Sequence, residues 1–278
     1  MGRVVVTGAS GGIGEAIVRR LAADSSVVMV GRDDGRLRAA AERVRSAVPH
    51  ADLTLERADL ALMADVRALA ARLPPVDALI SNAAVMARLD DVTSEGIQRT
   101  LATNHLAPYL LMRLMAGRAS RFVVVGADPG GLARVPVDVD DLGSVRGLGP
   151  VPSVRPFVLY GRTKNMNAMF VYALARRLDG SATVNGAHPG IIKGTGLGRE
   201  TRGALKAFKI LLEAGPRLKG PDAGADTPAW LAASDEVEGV TGRFFVGRTQ
   251  VDTAPHTTDA ARCDRLWEES ARLAGLAP

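Results

Sequence analysis

Short apolar runs, most of them β-branched, recur along the first 190 residues and are separated by longer stretches with helical spacing. Val4–Val6, Val27–Val30, Leu53–Leu55, Ala78–Ile80, Phe122–Val125 and Ala182–Asn185 have the length and composition of buried strands. Between them, Glu15–Ala23, Gly35–Ala47 and Met63–Leu73 repeat apolar residues three and four apart, as on one face of a helix. This alternation predicts βαβ units, and so a mostly parallel sheet covered by helices on both faces. The rhythm breaks at Ala127–Pro156, rich in Gly, Pro and Asp, and again at Pro189–Arg202; both are expected to be loops, the first long enough to be functional. Further on, the pattern predicts helices at Gly203–Ala214 and Ala223–Ala233, a last strand at Phe244–Val246 and a closing helix at Thr258–Leu273. No repeat and no linker interrupts the chain. Residues 1–278 are expected to form one doubly wound α/β domain with a seven-stranded sheet.

The first strand runs into Thr7-Gly8-Ala9-Ser10-Gly11-Gly12-Ile13-Gly14, and a helix follows. Glycine at 8, 12 and 14 permits a tight turn, lets backbone N–H groups approach a pyrophosphate and lets the helix pack on the strand. The positive helix N-terminus then faces the phosphates. With a strand before and a helix after, the turn predicts a Rossmann-type dinucleotide site that includes Gly8, Ser10, Gly11, Gly12, Ile13 and Gly14. The second strand ends at Gly31-Arg32-Asp33. A carboxylate at the strand end would accept from a ribose 2′-hydroxyl and repel a 2′-phosphate; glycine stands there instead, beside a guanidinium able to hold a phosphate. NADP(H) is the expected cofactor, with Arg32 on the phosphate. The alternative is a solvated Arg32, with Asp33 serving NAD.

Asp59-Leu60 follows the third strand and Asn82-Ala83-Ala84 the fourth; Asn104 lies in the next helix. Tyr160-Gly161-Arg162-Thr163-Lys164 begins a helix after the fifth strand, and His188-Pro189-Gly190 follows the sixth. In this order, and over nearly the whole chain, these segments resemble the short-chain dehydrogenase/reductase family. Gly31-Arg32-Asp33, Val139-Asp140-Asp141-Leu142, Thr163-Lys164-Asn165-Met166-Asn167 and Glu238-Gly239-Val240-Thr241-Gly242-Arg243-Phe244-Phe245 look most like its retinol-dehydrogenase-like branch. The resemblance implies an oxidoreductase that passes hydride between a nicotinamide and a carbonyl or alcohol carbon of a small, hydrophobic metabolite. It implies that Tyr160 is the general acid or base, that Lys164 holds the nicotinamide ribose, and that Asn104 supports a water relay to that lysine. Asp59 and Leu60 would border the adenine and Asn82 and Ala83 the dinucleotide path, with Pro189, Gly190 and Ile192 completing the cofactor contacts. It also implies a homodimer or homotetramer, with helices around Asn104–Met115 and Tyr160–Arg177 as the usual faces.

The Tyr160–Lys164 chemistry also stands without the family. Residues four apart share a helix face, and an ammonium beside a phenol lowers its ordinary pKa near 10 towards neutrality. One element is missing. The family has a Ser or Thr just after the fifth strand that hydrogen-bonds the substrate oxygen, and Ala127 stands at that place. Three explanations compete. Ser153, Thr195 or backbone N–H groups replace the donor. The substrate has a C=N or activated C=C bond, with Asp128 favouring a cationic iminium. Hydride transfer is lost, leaving a dinucleotide-binding pseudoenzyme or non-redox catalyst. Asp128-Pro129 by itself is a common turn pair.

The net charge of +5 narrows the partners further. Only five basic residues are lysines, at 164, 193, 206, 209 and 219, and the arginines are dispersed rather than clustered. With 4% aromatics, this excludes a nucleic-acid face as the first reading. His50, His105 and His256 lack metal-ligand spacing, so no metal is expected, and His188 is expected to mark the bend into Pro189. Cys263 is the single cysteine and can form no internal disulfide. No apolar run is long enough for a membrane span and no secretion leader is apparent, so a cytoplasmic protein is expected. Within a possible substrate lid at 189–220, Ala204–Leu212 has an apolar face and carries Lys206 and Lys209 on the other.

Overall fold

In the computed structural model, which describes residues 2–128, 136–193 and 219–278, the β-branched runs become a single sheet. Strands β1 (Arg3–Thr7), β2 (Ser26–Gly31), β3 (Leu53–Arg57), β4 (Val76–Ser81), β5 (Ala119–Val125), β6 (Thr183–His188) and β7 (Arg243–Val246) are parallel, in the order β3-β2-β1-β4-β5-β6-β7. An eighth strand, β8 (Thr249–Val251), pairs antiparallel with β7 and was not foreseen. Three residues carry too little alternation to register as a strand. Its signal is the turn, where Gly247 (φ 56°) and Arg248 (φ 64°) both take the left-handed conformation that two-residue hairpins need.

Two apolar layers enclose the sheet. Val4, Val6, Val27, Met29 and Ile80 face α1 (Gly12–Leu21), α2 (Asp34–Ala47) and, further along the chain, the Pro221–Ala233 helix. Val5, Val28, Leu79, Phe122 and Val124 face α3 (Met63–Arg72) and a composite helix: α4 (Arg99–Leu101), a π-helical turn (Ala102–Leu106) and α5 (Ala107–Met115). Helix α6 (Arg155–Ala175) lies on the same side. It starts five residues before Tyr160, the start read from sequence, because Pro156 fits the first helical turn, where no N–H is needed. The remaining helices are α7 (Pro221–Ala233), α8 (Pro255–Thr258) and α9 (Ala260–Ala274). The closing helix starts at Ala260, two residues later than read, where Asp259 caps it by accepting from Arg262 N, and the short α8 just before it was not read from sequence. The lid helix expected at 203–214 and Thr195 lie outside the described residues.

Helix α9 buries Cys263, Leu266, Trp267 and Ala271 against α5 and α6. The Trp267 ring stands 5.1 Å from that of Tyr109 and 6.2 Å from that of Phe170, centroid to centroid, and Tyr109 donates its hydroxyl to the Trp267 carbonyl at 2.9 Å. Burying an aromatic of this size contributes about 2–3 kcal/mol. Arginines also pin the loop that precedes α6. Arg162 donates to the carbonyls of Ser144 (2.9 Å) and Arg146 (2.6 Å), Arg262 to that of Val137 (2.7 Å), and Arg265 pairs with Asp140.

Candidate active site

The strand order reverses between β1 and β4, which leaves a crevice beyond their carboxyl ends. A cavity of about 320 Å³ lies there, lined by Gly8 and Ser10–Gly14, Gly31 with Arg32 and Arg36, Ala58–Leu60, Asn82–Ala87, Val125, Gly126, Tyr160, Lys164 and Pro189. Positive φ at Gly8 (67°) and Gly12 (58°) makes the turn possible. A Cβ on Gly14 would come 2.2 Å from the Gly8 carbonyl oxygen, whereas one on Gly11 would meet nothing within 4 Å. The first requirement is packing of helix on turn. The second leaves free space on the cavity wall, of the kind a bound pyrophosphate uses. No side chain caps the start of α1, so its first N–H groups remain available to an anion. Thr7 ties the two strands at the crevice: its hydroxyl oxygen accepts from the N–H groups of Asn82 (3.0 Å) and Ala83 (3.1 Å), and Asn82 Nδ2 donates to the Thr7 carbonyl at 3.0 Å.

At the far end of the cavity, Asp33 is the N-cap of α2 and accepts from Arg36 N at 2.8 Å. That bond commits the Asp33 carboxylate to the helix, while Arg32 and Arg36 line the cavity. The residues therefore fit a phosphorylated dinucleotide. Asp59 also lines the wall, accepting from Ala61 N at 3.0 Å, with Arg99 Nη1 3.7 Å away.

Tyr160 and Lys164 open onto the same cavity from one face of α6. Lys164 Nζ donates to the Val125 carbonyl at 2.9 Å and lies 5.5 Å from the Tyr160 ring centroid. Burial pulls the Lys164 amine down to about 8 and pushes the Tyr160 phenol above its ordinary value. The expected lowering of the phenol by its neighbour is thus absent from this structure, because desolvation dominates and the ammonium is directed at a carbonyl. Burial thus favours the neutral phenol of Tyr160 in this structure.

Asn104 lies behind the cavity wall instead of on it. Its Oδ1 accepts from Val85 N (2.8 Å), and its Nδ2 donates to the Val85 carbonyl (2.9 Å) and to Thr163 Oγ1 (3.1 Å). The π-helical turn that carries it is a form frequent at functional sites. Gly190 and Ile192, expected against the cofactor, do not line the cavity; the Ile192 side chain packs towards Gly224. Ala127 is buried, and neither it nor Ser153 lines the cavity. The His188 ring has a buried Nδ1 with no hydrogen-bond partner among the described residues. Burial, with Lys164 nearby, lowers its pKa against the raising effect of Asp128. Arg36 and Arg99 were missed from sequence. Arg36 was within reach, since an Asp N-cap three residues earlier places it in the first turn beside the β2 end; Arg99 carries no such local signal. Among the described residues, no helix is long and apolar enough to cross a membrane and no cluster of His, Cys, Asp or Glu suits a metal.

Residues 3–205 match the model of the short chain dehydrogenase family. The chain is 36% identical to a protein named for daunorubicin C-13 ketoreduction (DnrU) in Streptomyces sp. strain C5, over 98% of this chain and 92% of the other. It is 33% identical to retinol dehydrogenase 13 of Homo sapiens, over 98% and 84%. A short chain dehydrogenase from Burkholderia cenocepacia J2315, solved in complex with NADP, superposes with a TM-score of 0.66 at 26% identity, over 88% of this chain and 95% of that one. The chain belongs to the short-chain dehydrogenase/reductase family, in its retinol-dehydrogenase-like branch, and is a nicotinamide-dependent oxidoreductase.

Proposed function

We propose that the protein is an NADPH-dependent reductase, cytoplasmic, that adds hydride to the carbonyl carbon of a small, apolar metabolite or runs the reverse alcohol oxidation. The observation that carries this reading is the shared cavity: Tyr160 and Lys164 open onto the same space as the glycine turn. NADPH held there supplies the hydride. The backbone of Gly8–Gly14 would hold its phosphates, and Arg32 and Arg36, which line the same cavity, its 2′-phosphate. Tyr160, protonated at pH 7, donates its hydroxyl proton to the substrate oxygen as negative charge develops there. Lys164, positively charged below about pH 8, stabilises the phenolate left behind. Relatives named for a ketone reduction and for a retinol dehydrogenation support both directions, and the NADP-bound relative supports the cofactor.

Arg32→Ala and Arg36→Ala should each weaken NADPH binding about 10-fold or more, the scale of a hydrogen bond to a charged group, and leave NADH binding unchanged. Fluorescence titration of both cofactors checks this. Tighter NADH binding, indifferent to both substitutions, would assign the site to NAD.

Ala127 favours a second reading, because it can donate no side-chain hydrogen bond to a substrate oxygen. Reduction of C=N or activated C=C bonds, or a non-redox use of NADP(H), then replaces ordinary carbonyl reduction. NADPH oxidation measured with ketones, enones and imines separates these. Turnover of simple ketones is the expected result, and Ala127→Ser should raise it about 100-fold where the lost donor limits the rate. NADPH bound without turnover of any of the three classes would establish the non-redox reading.

A further inference from the structure

A line of polar side chains crosses the core between α9 and the active site. Ser270 Oγ is 2.8 Å from His105 Nε2, and His105 Nδ1 is 3.2 Å from Asn167 Oδ1. Asn167 Nδ2 donates to the main-chain carbonyl of Asn104 at 2.9 Å. Asn104 in turn grips Val85 and Thr163, and the Thr163 hydroxyl donates to the Tyr160 carbonyl at 2.7 Å. Ser270, His105, Asn167, Asn104 and Thr163 are all 3% exposed or less. Polar groups buried so deeply cost stability unless every one is satisfied, and a satisfied network fixes geometry.

The contacts of Asn167 fix which ring nitrogen of His105 carries the proton. Asn167 must turn its amide N–H to the Asn104 carbonyl, which only accepts, so its Oδ1 faces His105. His105 must then donate from Nδ1. Burial holds this imidazole neutral, with its pKa down at about 4, so its single proton is on Nδ1 and Nε2 is an acceptor. The Ser270 hydroxyl lies against two acceptors, the Leu266 carbonyl at 2.6 Å, to which it donates, and the bare Nε2 of His105 at 2.8 Å, so its one proton is shared between them. The opposite arrangement, with the proton on Nε2, sets two acceptors against each other between His105 and Asn167.

We propose that His105 and Asn167 are positioning residues that act through Asn104. They lock its carbonyl in the π-helical turn, so that its side chain holds Val85 on the cavity wall in fixed register with the helix bearing Tyr160 and Lys164. The lock runs through the Nδ1–H tautomer of His105, whose Nε2 lies against the Ser270 hydroxyl. It rests on the reading of Tyr160, Lys164 and Asn104 as the reaction machinery.

Two measurements on the whole protein test the lock without a substrate. In ¹⁵N spectra of histidine-labelled protein, the resonances lost in His105→Gln identify this ring among the four histidines. The expected pattern is a protonated Nδ1 and a bare Nε2; a protonated Nε2 overturns the arrangement. In hydrogen exchange, the Val85 amide should exchange about tenfold faster in Asn167→Ala and His105→Leu, the effect of one net hydrogen bond. His105→Gln, which retains a donor and an acceptor, should restore part of that protection. Unchanged Val85 protection in Asn167→Ala overturns the lock. Once a substrate is in hand, Asn167→Ala should lower kcat while KM for NADPH holds; a merely structural role would lower the melting temperature and leave kcat intact. A protein that passes the tautomer and exchange tests yet turns over no substrate retains the lock and loses the reductase reading, so the two fail separately.

Discussion

A methyl group at position 14 should abolish tight NADPH binding. A Cβ there would come 2.2 Å from the Gly8 carbonyl oxygen and 2.7 Å from Asn82 Nδ2, and neither can withdraw freely. Gly8 is held in the left-handed region of the turn, and Asn82 Nδ2 bonds the Thr7 carbonyl. In Gly14→Ala the start of α1 has to move away from the β1 and β4 ends. That carries the first-turn N–H groups off the phosphate position and overpacks the crevice, at about 1–3 kcal/mol of stability. We expect the Kd for NADPH to rise about 100-fold, equivalent to about 2.7 kcal/mol, with a lower melting temperature. Gly11→Ala is the control for crowding in the fold, because its Cβ meets nothing within 4 Å and Gly11 lines the cavity. It should reduce affinity with no loss of stability. Wild-type NADPH affinity in Gly14→Ala would show that the turn does not hold the pyrophosphate.

Tyr160→Phe is the second large effect. Phenylalanine keeps the ring against which Lys164 lies and removes only the hydroxyl group, and with it the transferable proton. Loss of a general acid of this kind lowers kcat about 1,000-fold, and NADPH affinity should change little. The pH profile adds a signature. Burial raises the tyrosine, so it stays protonated throughout the neutral range, whereas Lys164 loses its charge as pH rises through about 8. Reduction should therefore be steady below pH 7 and fall across pH 8, and Lys164→Met should lack that limb at a much reduced rate. Full activity in Tyr160→Phe would remove Tyr160 from the mechanism.

The parts that were readable in the sequence are those whose signals are local. The strands from Val4 to Asn185, the turn of Gly8, Gly12 and Gly14, and the spacing of Tyr160 and Lys164 each depend on residues a few positions apart, and the fold places them at one crevice. Other features depended on partners far along the chain. Asn104 does not line this cavity; it bonds Val85 from behind the wall, a relation set by a π-helical turn with no periodic signature. His105 looked idle by metal spacing, yet its ring meets Ser270, which is 165 residues away. The lowered phenol pKa expected from a nearby ammonium gave way to desolvation, whose size depends on how deeply α6 is packed.

The match to the family model ends at residue 205, but α9, at residues 260–274, forms the floor beneath α6 and fastens the loop that precedes it. The protein is therefore not modular at that boundary. A chimera joining the first 205 residues to the tail of another member keeps these contacts only where that tail places a hydroxyl against His105 and cations against the 137–140 segment, as Ser270, Arg262 and Arg265 do here. Without them its grafted half would present every expected motif and lack the scaffold that holds those motifs in register. Exchange between relatives has to treat tail and catalytic segment as one heritable unit.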